Sequence, residues 1–478
     1  MTDSMVPSFR YARLADDLEV KIREGIYRSG EKMPSLRKLH DQTGLSITTV
    51  YQAYIELEKR GVVMPRQKSG YYVKPLLDRI LPPPEAKKLR PVPKKVTMNT
   101  LAYSIVEDMS NADFLQLGGS VVMPELLPFK QLTRCMRAET MDAMKRSLMR
   151  YENPYGNAEL KRQIAKRMVG QARQAITDEM VITSGCIEAV SLCLAAVGRA
   201  GDTVVVESPT YPWFLQIIED QNKFALEIPT DPQTGIDLDQ LGRAVEKNEV
   251  AACLLIPNFH NPLGFEMSDE KKTALVKMMG EKQIPIIEDN IHGELYFGNA
   301  RPTTLKALDR KGLVLHCASF SKTLSPGLRV GWTLPGRFTD RVRRLKMNST
   351  IASPTLNQQV VAQFLKTGAF DRHLRRLRTA LKNQITNTAL AIARTFPEDT
   401  RITAPQGGLT LWVELNKKVD GLKVFQEARR QKISVFPGII CSTTGRYRNF
   451  IRISCGYPWS GKIEAGIVSL ADIIRTVG

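Results

Sequence analysis

At 478 residues the chain exceeds what one hydrophobic core supports, since cores stop growing at roughly 250 to 300 residues, so two or three domains are expected. A hydrophobic share of 43% and a charged share of 24% exclude a disordered or fibrous chain. No apolar run nears the ~18 residues that span a bilayer, and Met1-Thr2-Asp3-Ser4-Met5 lacks the build of a signal peptide, so a cytoplasmic protein without membrane contact is expected.

Seven cysteines, an odd number without a CxxC pair, argue against a disulfide framework and a zinc ribbon, and no metal site is expected. The 68 basic against 49 acidic residues, a formal charge of +19, attract polyanions, nucleic acid first, although a basic balance also occurs in enzymes with no such partner.

In chain order, Leu14, Leu18 and Ile22 at i, i+4, i+8 predict a first helix that closes at Gly25. Ser35, after Pro34, caps a second that runs through Leu36 and Leu39 to Gly44. Beyond the Gly44-Leu45 turn, Ser46 caps a third helix with Val50, Ala53, Tyr54 and Leu57 inward, and two short helices joined by a glycine turn make a helix-turn-helix. Gly61 ends the third helix; residues 62–64 and 71–73, around the basic tip Gln67-Lys68-Ser69-Gly70, predict a two-stranded wing. With the apolar face committed to packing, Ser46, Ile47, Thr48, Thr49, Tyr51 and Gln52 are left outside at the amino end of the recognition helix, the end that meets base edges. The alternative is a small helical head that only mediates protein contacts.

This segment resembles the GntR family of winged-helix regulators: its Pro-Ser-x-Arg, Ser/Thr-x-Thr-Thr-Val and glycine-rich wing are matched by MPSLRKL, SITTV and KSGYYV. The resemblance implies that Arg37, Thr48, Thr49 and the wing residues Lys68 and Gly70 touch DNA backbone or grooves. Family members often carry arginine where Ile47 stands and glycine where Lys68 stands. Isoleucine offers a methyl contact whereas arginine forks onto guanine, so weaker guanine reading is expected at that base step.

Residues 75–99 are rich in proline and lysine; Pro82-Pro83-Pro84 favours extended geometry and Lys87, Lys88, Arg90, Lys94 and Lys95 solvation, which predicts a semi-rigid spacer. Residues 101–109 form a short apolar patch suited to a docking helix. In the body, short apolar runs at 203–206, 251–256, 284–287 and 313–316 alternate with amphipathic stretches, the pattern of an α/β domain with a mostly parallel sheet. Ligands of such sheets sit beyond the carboxyl ends of the strands. Runs at 409–414 and 450–454 suggest a smaller C-terminal α+β subdomain.

Four residues following those runs are candidates. Lys322, in Ser319-Phe320-Ser321-Lys322 with Arg329 seven residues on, joins an amine that forms a Schiff base when desolvated to a guanidinium that forks onto phosphate; alone it also fits a surface loop. Asp289 is a carboxylate ending a buried run, fit to pair with a protonated pyridine nitrogen or equally to cap a helix. Asn261 could donate to a ring oxygen, although Asn-Pro is an ordinary turn signal, and Tyr211 could stack on a heterocycle or be core. Gly185, Cys186 and Ile187 precede the amphipathic run 189–196, where free backbone amides at a helix start face a phosphate.

The order and placement of these residues resemble fold type I pyridoxal-phosphate enzymes of the aspartate aminotransferase kind, over roughly residues 113–478. The resemblance implies Lys322 as the lysine that carries pyridoxal 5'-phosphate and Asp289 on the pyridine nitrogen, a catalytic pair. It further implies Asn261 on the ring oxygen, Tyr211 stacked, and Gly185, Cys186, Ile187, Ser319 and Arg329 around the phosphate. Tyr151, in YENPYG, matches the tyrosine that reaches the neighbouring subunit's phosphate, and Arg452, in FIRIS, the arginine that receives a substrate carboxylate. Where the family has a tyrosine two residues after the aspartate, Ile291 stands, which puts transaminase turnover in doubt.

The fold expected is therefore α/β: an N-terminal winged helix-turn-helix (1–75), a Pro/Lys-rich linker (76–111) and a fold type I aminotransferase-like domain (112–478). This combination resembles the MocR group of regulators. It implies a homodimer, the head of one subunit against the body of the other, that binds double-stranded operator DNA and senses an amino acid or amine through pyridoxal phosphate. Two alternatives remain: a working aminotransferase with secondary DNA binding, favoured by Lys322, Asp289 and Arg452, and a binding-only sensor, favoured by Ile291.

Overall fold

The computed structural model describes residues 9–28, 30–66, 69–74, 80–87, 89–97, 101–138, 141–172 and 176–478, so Lys68 lies outside the described residues. In the head, the periodic leucines give α1 (Arg10–Arg23), and α2 (Leu36–Thr43) starts at Ser35, whose hydroxyl accepts the Lys38 N–H at 3.2 Å. Gly44 takes the left-handed turn at φ 67°, and α3 (Ile47–Lys59) starts at Ser46, which accepts the Thr49 N–H at 3.1 Å. Each cap answers one of the orphan amides of a helix start and contributes about 1 kcal/mol. The wing is the antiparallel pair β1 (Val63–Arg66) and β2 (Gly70–Val73). Tyr54 fastens it: its ring stacks on Tyr71 at 4.8 Å, and its hydroxyl donates to Pro34 O at 2.6 Å.

The linker departs from the expected solvated spacer, because its described part lies along the body. Ile402 N–H donates to Pro82 O at 3.0 Å, Lys87 Nζ pairs with Glu414 at 3.0 Å, and β3 (Lys94–Lys95) joins the edge of the main sheet, with Val96 buried behind it. A lysine pair suits a sheet edge, where solvated charge blunts further pairing, and so the strand is disguised as a linker. Next comes α4 (Leu101–Ser110), which buries Ala102 and Ile105.

The body is built on β4 (Val181–Thr183), the helix α5 (Cys186–Val197), β5 (Thr203–Ser208), β6 (Phe224–Asp231), β7 (Val250–Leu255), β8 (Ile286–Asp289), β9 (Val314–Ser319) and β10 (Gly331–Leu334). Their order is β3-β6-β5-β7-β8-β9-β10-β4, and β6, β5, β7, β8 and β9 are mutually parallel, with β3, β10 and β4 paired antiparallel to their neighbours. Two strands run past the apolar segments that announce them, because buried donors meet their polar residues. Glu207 on β5 accepts the Ile256 N–H at 2.8 Å, and Glu288 on β8 accepts Leu305 N–H at 2.7 Å and His316 Nδ1 at 2.8 Å. Asp289 thus ends β8 rather than following it, opposite Cys317 on β9.

The long helix α6 (Ala369–Thr395) leads into the C-terminal subdomain, an antiparallel sheet of β11 (Arg401–Ile402), β12 (Thr410–Glu414), β13 (Phe436–Pro437) and β14 (Phe450–Ser454) in the order β11-β12-β14-β13, flanked by α7 (Gly461–Val477). The described contacts of the head include α6 of the same chain. Lys382 Nζ donates to Arg60 O at the end of α3, and Lys74 Nζ donates to Asn383 Oδ1 at 2.8 Å. Among the described residues no helix is long and apolar enough to cross a membrane, and all seven cysteines are buried and free.

Candidate functional site

The ends of β4, β5, β7, β8 and β9 converge on a cavity of about 110 Å³ whose walls include Lys322, Asp289, Asn261, Tyr211, Cys186 and Arg329. Parallel strands bring this about, since each carboxyl end opens to the same side of the sheet.

Asp289, 3% exposed, accepts the Ile291 N–H at 2.9 Å and the Cys186 thiol at 3.3 Å, and forms no ion pair among the described residues. Burial pushes its carboxyl up to about 6. Lys322 sits in the turn directly after β9, and burial, followed by the nearby Arg452 charge, lowers its amine to about 8; Nζ donates to Ser120 O. The cavity therefore joins a readily neutralised amine to a carboxylate without a counter-ion.

Arg452, on β14 and 2% exposed, donates from Nη1 to Asn261 Oδ1 at 2.9 Å and from Nη2 to Gly118 O at 2.7 Å, and it lies 3.8 Å above the Phe436 ring. Its Nε has no partner, and burial lowers the group to about 10. A buried guanidinium held only by neutral oxygens is short of an anion, and a carboxylate fits its fork. The same bond orients Asn261: arginine only donates, so the amide oxygen faces Arg452 and the NH2 is the group left for another acceptor. Tyr211 precedes the helix Pro212–Asp220 with its ring edge-on to Phe214 at 5.5 Å, and burial raises its hydroxyl.

At the other end of the cavity Gly185, at φ 96°, opens α5 with no side-chain cap, which leaves the amides of its first turn free. A Cβ on Gly185 would stand 2.5 Å from Arg329 Nη2 and push the guanidinium aside, and the φ of 96° itself favours glycine. Arg329 donates to Ser184 O at 2.7 Å and reaches Ser321 Oγ at 3.4 Å. Ile187 lines the same end. Ser319 does not: its hydroxyl accepts the Ser321 N–H at 3.3 Å and holds the turn, and Ser321 takes the wall in its place. Tyr151, 83% exposed, stands outside the cavity of its own chain.

Ile291, where the family has a tyrosine, brings no hydrogen-bonding side chain to the wall. Ile291 packs with the apolar cluster around Tyr211, whereas the residue after it, His292, brings an imidazole to the wall. His292 is 3% exposed, its Nδ1 donates to Phe259 O at 3.1 Å, its Nε2 has no partner, and burial holds it neutral, down to about 3. A polar group three residues past a strand end was a sequence signal for it, but the turn that aims it is not.

These residues fit pyridoxal phosphate: a low-lying amine for an aldehyde, an unpaired buried carboxylate for a pyridinium, and free amides with an arginine for a phosphate. Among the described residues no cluster of His, Cys, Asp or Glu is placed to hold a metal ion.

On the head, Arg37, Ser46, Ile47, Thr48, Tyr51 and Gly70 are exposed. Thr49 is half-buried, its hydroxyl 2.8 Å from that of Ser46, so these two side chains serve the cap as well as the outer face.

Residues 126–459 match the aminotransferase class I and II family, and residues 10–73 match the bacterial regulatory proteins of the gntR family. Fold and site thus define a regulator with an aminotransferase-type body. The chain belongs to the aminotransferase class I and II family and has the MocR-type architecture, a GntR helix-turn-helix domain joined to that body. It is 36% identical over 97% of its length to the uncharacterized HTH-type transcriptional regulator YjiR of Escherichia coli, covering 98% of that protein. It is 26% identical over 93% of its length to the HTH-type transcriptional regulator NorG of Staphylococcus aureus, covering 100% of it. Its body is similar to LysN, the alpha-aminoadipate aminotransferase of Thermus thermophilus, solved with N-(5'-phosphopyridoxyl)-L-leucine: TM-score 0.73, 27% identity, 80% of this chain and 96% of that one. Use of pyridoxal phosphate is thus a property of the family.

Proposed function

We propose that the protein is a cytoplasmic, homodimeric transcriptional regulator whose winged head binds double-stranded operator DNA under the control of pyridoxal phosphate and an amino acid or amine held in the body. The observation that carries this reading is the meeting of Lys322, Asp289 and Arg452 around adjoining cavities in a chain that also has a winged head.

When bound, pyridoxal phosphate supplies an aldehyde that amines attack and a protonated ring that draws electrons. Lys322 offers the amine, Asp289 holds the proton on the ring nitrogen, Asn261 donates to the ring oxygen and Tyr211 covers the ring face. Gly185, Cys186, Ile187, Ser321 and Arg329 hold the phosphate, with Ser319 supporting the turn from behind and Tyr151 reaching across to the partner subunit. Arg452 takes the effector's carboxylate. The homodimer is supported by the large apolar side chains Phe129, Met141, Leu148 and Met149, each exposed, in the stretch of chain that leads to Tyr151. In the head, Arg37, Ser46, Ile47, Thr48, Thr49, Tyr51, Lys68 and Gly70 face the DNA.

The test is fluorescence anisotropy of the full-length protein with DNA from upstream of its own gene, at several salt concentrations. Affinity that falls steeply with salt and changes on adding pyridoxal phosphate with an amino acid is expected. A protein that turns over amino acids with 2-oxoglutarate but leaves this DNA unbound contradicts the reading and favours a working aminotransferase.

A further inference from the structure

A second cavity, of about 90 Å³, adjoins the first and shares Tyr211 and Lys322 with it, and Arg452 stands in its wall. One side of it is α4: Ala102, Ile105 and Val106 line it, and Val121, Trp213 and Phe436 add further apolar wall beside the neutral hydroxyl of Ser120. Among the described residues lining it, Lys322 and Arg452 are the charged ones, and both already have work at the reacting end. The helix is held there by Asp108, which is buried and accepts Arg429 Nε at 2.9 and 3.0 Å, and by Tyr103, edge-on to Trp213 at 5.9 Å.

We propose that α4 selects the effector: an amino acid whose carboxylate meets Arg452 lays its side chain against Ala102, Ile105 and Val106, so that uncharged, apolar side chains are taken and a second carboxylate or ammonium is refused. A charged side chain against Ala102 and Ile105 would lose hydration and find no counter-ion free, whereas an apolar one gains contact with these and with Val121, Trp213 and Phe436. Because α4 follows the linker directly, the effector's side chain also touches the segment that leads back to the head. The inference rests on the proposed reading of the body as a site for pyridoxal phosphate and an amino acid.

The test uses the full-length protein loaded with pyridoxal phosphate, titrated with L-leucine, L-methionine, L-glutamate and L-lysine by calorimetry, with absorbance recorded alongside. Leucine or methionine is expected to bind at least about 100-fold more tightly than glutamate or lysine. Val106 is 45% exposed and accommodates a charge, so Val106→Arg should narrow the gap to glutamate by about tenfold or more. Ile105→Ala, which adds room without charge, should move the preference toward the larger apolar side chains while glutamate stays excluded. Glutamate bound as tightly as leucine by the unaltered protein, or an order of preference that neither substitution moves, overturns the proposal. A protein that never acquires cofactor absorbance fails earlier, and it is then the reading of the body that falls.

Discussion

Two side chains set the chemistry of the body through their lack of ordinary partners. Lys322 is half-buried, with its amine desolvated and near the Arg452 charge, which favours its neutral form and lowers it to about 8. An unperturbed lysine titrates near about 10.4, so covalent capture of pyridoxal phosphate should rise with pH to a plateau with its midpoint near 8; a rise that continues past pH 10 would contradict the burial argument. Asp289 is raised to about 6 by burial, so the empty site protonates below that pH and a ring cation should be held less well there. Asp289→Asn removes the charge at all pH values, and an equilibrium titration should show cofactor binding weakened by about tenfold to a hundredfold, the cost of one charge-assisted hydrogen bond. Retention of full affinity in that variant would place the ring elsewhere. At the head, Ile47 offers DNA a methyl surface, and selection from random DNA is expected to show little guanine preference at its base step; a strong preference lost in Ile47→Ala would contradict this.

At the scale of elements, the caps and α6 link local sequence to function. Ser46 both starts the recognition helix and faces outward, so Ser46→Ala should lower the head's stability by about 1 kcal/mol in thermal unfolding and weaken DNA binding together. Loss of DNA binding without loss of stability would assign the residue to DNA contact alone. The helix α6 touches both halves of the molecule. His373 Nε2 donates to Thr323 O at 2.8 Å, beside Lys322, and Lys382, nine residues and ~13.5 Å along the helix, donates to Arg60 O at the end of α3. Lys382→Ala should therefore raise hydrogen exchange at the amides of residues 57–62, and unchanged exchange would mean that the head does not rest there in solution.

Across the whole molecule, the sequence is most readable where a rule of local chemistry operates alone. The second and third helices of the head carry their caps and turn glycines in plain view, and both start directly after the expected caps, Ser35 and Ser46. Lys322 and Asp289 stand out because a polar residue at the end of an apolar run signals a strand end. What stays hidden depends on a partner far along the chain. Glu207 and Glu288 look like turn residues until Ile256, Leu305 and His316 supply their donors, the Lys94-Lys95 strand exists only because β6 offers an edge, and His292 reaches the cavity through a turn that no spacing announces.

The most direct measurement is borohydride reduction of the full-length protein after incubation with pyridoxal phosphate, followed by mass mapping of the fixed label. One label per chain is expected on Lys322, absent in Lys322→Ala and weakened in Asp289→Asn. A label spread over surface lysines, or none at all, would contradict it.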